Sequence, residues 1–344
     1  LEFLYEYGLF IAKAVTIVIA ILLVVGGIVS LVSKQKQSKG NLEIDSISER
    51  LDDIKGSVDN LICTKDELKK KNKEQKKADK AAKKAAKNNK AEDEKGNLYV
   101  IDFNGSMDAH EVENLREEVT AVICIAKPKD EVLVRLESGG GVVHGYGLAA
   151  SQLQRLKDKK IPLTVSVDKV AASGGYMMAC VADNVLAAKF AIIGSIGVIA
   201  QIPNFNKLLK KNDIEFEQHT AGQFKRTLTM FGENNDEGRE KFRDELEDVH
   251  QMFKGFVQEH RPALAIDTVA TGEYWYGSKA LELGLVDTIQ TSDDFLLSAN
   301  SDKKIYSVKY SVKKNLAEKF GMSVSHGVAN TLMKLWHKTQ IIPK

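Results

Sequence analysis

The sequence predicts an α/β domain with a largely parallel sheet. Apolar, β-branched runs alternate with helical patterns from residue 97 onward, and two consecutive strands end in glycine-rich or small-residue turns that open helices. At 344 residues and 43% hydrophobic content, the chain can also bury one large core with appendages. In order, LYVIDF (98–103) is a strand and 109–126 is helical in pattern. EVLVRL (131–136) is a second strand that runs into Glu137-Ser138-Gly139-Gly140-Gly141 and a helix over about 142–157. A third strand, 163–167, leads through a short turn to Ser173 and a helical run over 176–182. Short strands follow at 185–188 and around 192–200, the latter enclosing GSIGV (194–198). IEFEQHT (214–220) reads as a further strand, 233–260 as a long charged helix, and IYSVKYSV (305–312) alternates like a strand.

Ahead of this domain, residues 8–32 are nearly continuously apolar, broken only by Lys13. About twenty such residues suffice to cross a bilayer, which predicts an uncleaved transmembrane anchor. The run is too long for a secretory signal core, and Glu2 and Glu6 stand where a signal would carry basic residues. Residues 41–96 read as an appendage of two parts. The first, 41–62, has apolar residues at helical spacing from Leu42 to Ile62 and predicts an amphipathic helix. The second, 65–95, carries 13 lysines against 7 acids and predicts a solvated spacer, helical or disordered. No aromatic residue interleaves its lysines, so nucleic acid is not an expected partner. The main α/β domain is expected over 97–300 and a C-terminal extension over 301–344. Net charge is +2, and the three cysteines have no metal-ligand spacing, so composition excludes a disulfide scaffold and gives no reason to expect a metal or cofactor.

The chemistry concentrates in 161–184, IPLTVSVDKVAASGGYMMACVADN. A strand that ends in a tight turn and feeds a helix puts Ser173 at the helix N-terminus, where unpaired N–H groups and the helix dipole favour negative charge. By itself that stretch suits an N-cap serine beside a flexible glycine pair. The triple glycine 139–141 lets backbone approach a substrate and aim N–H groups at one oxygen, or is simply a tight turn. It is neither a GxGxxG nor a Walker loop, so nucleotide binding is unsupported. A nucleophilic serine needs a base, and three side chains qualify by position: His144, His219 and Lys225. Lys225 is flanked by Phe224, Leu228 and Phe231, which suggests an apolar pocket, with Arg226 as a cationic neighbour. A lysine must be neutral to act as a base, which requires lowering its ordinary value of roughly 10.4 by about 3 units. Spacing alone does not choose between lysine and histidine.

SGGG (138–141), VAASGGYMMACVAD (170–183), GSIGV (194–198) and GEYWYGSKALELGLVD (272–287) together resemble the signal peptide peptidase SppA/SohB family of Ser-Lys serine proteases. The match spans residues 98–287, and the apolar N-terminal run with its charged insert is similar to the SohB branch. The resemblance implies a ClpP/crotonase-like superhelix of strand-strand-helix units, with Ser173 as nucleophile and Lys225, from Gly222-x-x-Lys225, as general base. It also implies an oxyanion hole drawn from Gly140 or Gly141 with Ser173 or Gly174. Ser195 and Thr227 or Thr229 are candidates to orient the lysine. Peptide or protein substrates are implied, signal-peptide remnants or misfolded segments among them, with no cofactor and with homo-oligomers whose dyad is completed across subunits. Where the family has Ser-Pro-Gly-Gly, this chain has Ser138-Gly139-Gly140-Gly141, a turn less restricted in the unfolded chain. The expected location is a bacterial inner membrane, single-pass. The resemblance favours a periplasmic catalytic domain, whereas Lys34, Lys36 and Lys39 after the span favour a cytoplasmic one. Two other classes stand beside this reading: a crotonase-like acyl-CoA enzyme, which would need a carboxylate facing the glycine loop, and a catalytically silent membrane scaffold.

Overall fold

The computed structural model of the chain describes residues 40–64, 66–70 and 95–312, with scattered positions at 7–11, 13, 15–18, 73 and 77. The described chain opens with β1 (Asn41–Ser46) and α1 (Ile47–Ile62), a helix started by the Ser46 hydroxyl, which accepts the Glu49 N–H at 3.1 Å. There follow β2 (Asn97–Gly105), α2 (Val112–Ile125), β3 (Glu131–Ser138) and α3 (Val143–Asp158). Next come β4 (Leu163–Val167), β5 (Val170–Ala172), α4 (Gly174–Ala179), β6 (Asn184–Ala187) and β7 (Ile192–Gly194). The remainder comprises α5 (Asn206–Lys211), α6 (Asp236–His260), α7 (Ile266–Val269) and β8 (Tyr274–Tyr276). It closes with α8 (Gly277–Glu282), β9 (Thr288–Ile289), α9 (Ser292–Ala299) and β10 (Lys304–Ser311).

The main sheet has the order β1-β10-β2-β3-β4-β6-β9, and its pairs from β10 to β9 are parallel. Parallel strands are covered on both faces, so their apolar residues need not alternate. In β2, Tyr99, Ile101 and Phe103 enter one core while Leu98 and Val100 enter another. The larger core is closed by Leu115 and Val119 of α2 and by Tyr146, Leu153 and Leu156 of α3. The smaller joins Leu133 and Ile305 to Ile47 of α1 and Leu296 of α9. Each such buried side chain contributes about 1.5–3 kcal/mol from apolar burial. Helix α6 starts where the Asn235 side chain accepts the Gly238 N–H at 2.8 Å, and it lays Phe253 and Val257 into the larger core.

Strand β3 forks the sheet. Val132 to Arg135 pair with β4, but Ser138 at its end pairs with Ala171 of β5. From there β5 runs parallel to β7, and β7 antiparallel to β8. The chain therefore leaves the main sheet after Val167 and enters the branch immediately before Ser173.

Three expectations change. Residues 42–62 and 304–310, assigned from the sequence to a spacer and an extension, belong to the unit Leu42–Tyr310. They do so because Ile47 and Ile305 are buried together in the smaller core. The strand expected at 214–220 is absent; this segment has no ladder partner and every residue in it is exposed. The strand expected to reach residue 200 stops at Gly194. Most of the anchor expected over 8–32, and of the tract 65–95, lies outside the described residues. Among the described residues no helix is long and apolar enough to cross a membrane.

Glu118 is the one carboxylate of α2 that faces inward, 5% exposed, accepting the Tyr310 N–H of β10 at 2.8 Å. Burial pushes its carboxyl up to about 7, against the partial opposition of that hydrogen bond. A raised acid holds its proton in the folded state after the unfolded chain has released it, so stability falls as pH rises from about 4.5 to about 7. The loss is on the order of 3 kcal/mol across that interval. Chemical denaturation from pH 4.5 to 8 should show this slope in the wild type and lose it in Glu118→Gln.

Candidate active site

Ser173 sits at the fork, between the end of β5 and the start of α4, with φ 52° and ψ −121°. That backbone region costs an ordinary residue about 1–3 kcal/mol and persists only when the surroundings enforce it. They do so here. The Ser173 N–H donates to the Gly194 carbonyl at 2.8 Å, and its own carbonyl accepts the Met177 N–H at 3.0 Å. Although Ser173 occupies the N-cap position, its side chain makes no capping bond. The half-buried hydroxyl instead faces two adjoining cavities and has no hydrogen-bond partner among the described residues.

The glycine loop lies directly against this turn. Gly140 has φ +83°, and a Cβ there would come within 2.7 Å of the Gly174 nitrogen and 2.8 Å of the Ser173 Cβ. Only glycine combines that φ with that approach. Gly174 is constrained from the other side, since a Cβ on it would stand 2.4 Å from Cγ of Tyr146. The Gly140 N–H donates to Ser138 Oγ at 3.1 Å. The N–H groups of Gly141 and Gly174, by contrast, have no acceptor among the described residues. The structure thus brings Gly140, Gly141, Ser173 and Gly174 together, with Gly140 already committed to a neighbour.

One cavity, about 740 Å³, is lined by Ser173, Gly140 and Gly141 and by the polar side chains Ser195, Arg243, Glu247 and His250. The other, about 550 Å³, is predominantly apolar, with Met177, Val198, Val249, Met252 and Phe256 around Ser173 and Gly174. Ser173 lies where the two meet, so the hydroxyl has a polar chamber on one side and an apolar one on the other.

Lys225 is not in either cavity. It is exposed, on the irregular segment between α5 and α6, where its N–H donates to the Gly222 carbonyl at 3.2 Å. The apolar pocket expected around it is not formed within one chain, because Phe224 and Phe231 are themselves 43% and 42% exposed. Arg226 is exposed as well. Thr229 is occupied locally, its hydroxyl accepting the Gly232 N–H at 3.3 Å, and neither it nor Thr227 lines a cavity with Ser173. Ser195 does, and it shares the strained backbone, with φ 52°.

Of the histidines, His144 and His219 are exposed, His219 beside Glu217 at 3.5 Å. His250 is the side chain that sequence reasoning missed. It lines the polar cavity, with Nε2 3.0 Å from the Ala270 carbonyl and Nδ1 3.8 Å from Glu247. The signal was present in the periodicity of α6, where residue 250 falls on the row of Leu246, Phe253 and Val257 that faces the core.

Residues 2–153 match the N-terminal domain of peptidase family S49, and residues 155–306 match peptidase family S49 itself. The chain belongs to peptidase family S49. It is 50% identical over 337 residues to "Probable protease SohB" of Haemophilus influenzae, covering 96% of each chain. It is also 50% identical over 336 residues to the protein of the same name from Buchnera aphidicola subsp. Acyrthosiphon pisum, covering 98% of each. A solved membrane-bound stomatin-specific protease in complex with a substrate peptide overlaps 59% of this chain and 80% of its own, at 14% identity and a TM-score of 0.39. Family S49 therefore supplies the reaction class, peptide hydrolysis, while the placement of each side chain in this S49 peptidase comes from its own geometry.

Two glycine substitutions separate packing from chain freedom. Gly140→Ala should lose at least about 1 kcal/mol of stability from its φ alone, and peptidase activity with it. Gly139→Ala, where a Cβ meets nothing within 4 Å, should keep activity and gain up to about 1 kcal/mol of stability from a less free unfolded chain. Thermal melts and a peptide-hydrolysis assay on both variants check this.

Proposed function

We propose that this S49 peptidase is a membrane-anchored serine endopeptidase that cleaves peptides through an acyl-enzyme on Ser173. The observation that carries it is the Ser173 hydroxyl on a strained turn, without a partner among the described residues, beside two N–H groups that have no acceptor among them and at the junction of two cavities. The stacked parallel units, each a strand followed by a tight turn and a helix, support a ClpP/crotonase-like superhelix. The apolar run at 8–32 supports the anchor.

In this reading Ser173 Oγ gives its proton to the neutral amine of Lys225 and attacks the scissile carbonyl. The carbonyl oxygen becomes an oxyanion held by the N–H groups of Gly141 and Gly174, while Gly140 provides the close approach of the loop. Collapse of the tetrahedral intermediate breaks the C–N bond, and the lysine returns its proton to the leaving amine. Water then attacks the ester, with the same base taking its proton, and the acid product leaves. The apolar cavity receives an apolar substrate side chain next to the scissile bond, and the polar cavity receives the chain on the other side.

Lys225 must be desolvated to do this, and the exposed apolar residues around it provide the means. Covering Phe216, Phe224, Met230 and Phe231 by a second copy of the chain would bury the lysine stem and bring its amine to the hydroxyl. The active form is then an oligomer. A second reading rests on His250, which shares the polar cavity with Ser173. If its Nε2–H donates to the Ala270 carbonyl, Nδ1 is left as an acceptor and a possible base.

Hydrolysis of an apolar fluorogenic peptide by folded variants discriminates the two. Ser173→Ala and Lys225→Ala should each lose at least about 10³-fold in kcat, with His250→Ala within about threefold of wild type. An inactive His250→Ala beside a fully active Lys225→Ala would replace lysine with histidine. Full activity in Ser173→Ala, with no labelling of Ser173 by a fluorophosphonate, would remove the serine mechanism altogether.

Strain at Ser173 gives a second expectation. Ser173→Gly should melt higher than wild type, by about 1 kcal/mol or more, while losing activity. A calorimetric scan of the two proteins measures it.

A further inference from the structure

A buried polar chain runs beneath the Ser173 turn, and the proposed chemistry does not yet use it. Tyr146 of α3 is fully buried, and its ring supports Gly174 from below. Its hydroxyl donates to the Ser106 carbonyl at 2.7 Å and is also bonded to Ser138 Oγ. A carbonyl can only accept, so the single Tyr146 proton is spent on Ser106, and the Ser138 hydroxyl donates to Tyr146 Oη. Ser138 Oγ in turn accepts the Gly140 N–H at 3.1 Å. The short bonds then run from the Gly140 N–H to Ser138, from Ser138 to Tyr146, and from Tyr146 to the carbonyl of Ser106, with the Gly105 carbonyl 3.5 Å from Ser138 Oγ as a longer second acceptor. Chains of this kind polarise one another and are expensive to leave half satisfied in a low-dielectric core.

We infer that Tyr146 and Ser138 are positioning residues for the oxyanion hole. One side chain touches both of its halves, Gly174 through the ring and the glycine loop through Ser138. Holding the Gly140 N–H inward, against Ser138, turns the next peptide so that the Gly141 N–H is left for the oxyanion. This does for the loop what a restricting residue at position 139 would do by limiting the backbone, and residue 139 here is glycine. The ring of Tyr146 packs edge-on against Phe103, with centroids 6.5 Å apart, while its polar tip stays at the glycine loop. A phenol buries its ring and still completes the polar chain.

The inference rests on the serine reading above, and its test separates the two. Tyr146→Phe keeps the ring under Gly174 and removes only the hydroxyl. In the folded variant, kcat on the fluorogenic peptide should fall about tenfold with KM within twofold, since a misaligned donor costs transition-state binding and not ground-state binding. Affinity for a peptide boronate, which forms a tetrahedral adduct on serine, should fall by the same factor as kcat/KM. Ser138→Ala should behave alike, and the double variant should be no worse than the poorer single one, because both act through one chain. Circular dichroism melts confirm that each is folded at the assay temperature. Unchanged kcat and boronate affinity in Tyr146→Phe overturn the inference while leaving Ser173 as nucleophile. So does a lowered melting temperature with kcat and KM both altered and boronate affinity intact, which is the signature of a purely structural tyrosine. Wild-type activity in Ser173→Ala would instead overturn the serine reading itself.

Discussion

Strand β3 serves both arms of one forked sheet, and the site depends on that fork. Most of its length pairs with β4 in the main sheet, while Ser138 pairs with Ala171 in the branch that carries β5, β7 and β8. Both glycine-bearing turns leave from the branch point. The loop at 139–141 continues β3, and the Ser173 turn continues β5, so they emerge side by side and the backbone of one can press on the other. Pairing of Ser138 with Ala171 sends them out from neighbouring strands, roughly 4.8 Å apart, and glycine at 140 and 174 removes the side chains that would stand between them.

Strain at Ser173 follows from the same arrangement. Its N–H is fixed to Gly194 on β7 and its carbonyl to Met177 in α4, so strand and helix each dictate one side of the residue. The φ of 52° is what remains when both demands are met. Large cores on both faces of the main sheet and the buried phenols of Tyr146 and Tyr176 hold that compromise in place. Tyr176 does so by donating to the Leu285 carbonyl at 2.9 Å. A cost of about 1–3 kcal/mol at one residue is tolerable against burial worth that much at each of many core side chains.

What the sequence made legible was governed by short-range patterns. Strands β2, β3 and β4 are apolar runs closed by turn residues, and the long α6 carries its period openly. Ser173 and the glycines were visible because a strand-turn-helix junction leaves a mark within a dozen residues. Lys225 was legible only as part of a resemblance, and its surroundings were not, because flanking phenylalanines look alike whether they are buried or exposed. The segment 214–220 alternates like a strand, yet a strand exists only where a partner offers hydrogen bonds, and none does. The membership of β1 and β10 in the sheet was hidden for the opposite reason. Ile305 of β10 is buried with Ile47 of α1, the helix that follows β1, a contact across most of the chain.

The two halves of the proposed dyad are therefore held by different means. Everything that shapes Ser173 is internal to one chain, from the Gly194 carbonyl to the ring of Tyr146. Nothing comparable holds Lys225, which projects from a segment with apolar residues on its exposed surface. Bringing a lysine to neutrality at pH 7 costs about 4–5 kcal/mol. Burying on the order of 200 Å² of apolar surface returns about 5 kcal/mol. A cover of that modest size over Phe224 and Phe231 would offset the cost. Under the proposed reading, each chain would keep a preformed nucleophile and oxyanion hole but acquire its base only when the exposed segment is covered, and hydrolysis would be coupled to assembly by the cost of desolvating one amine.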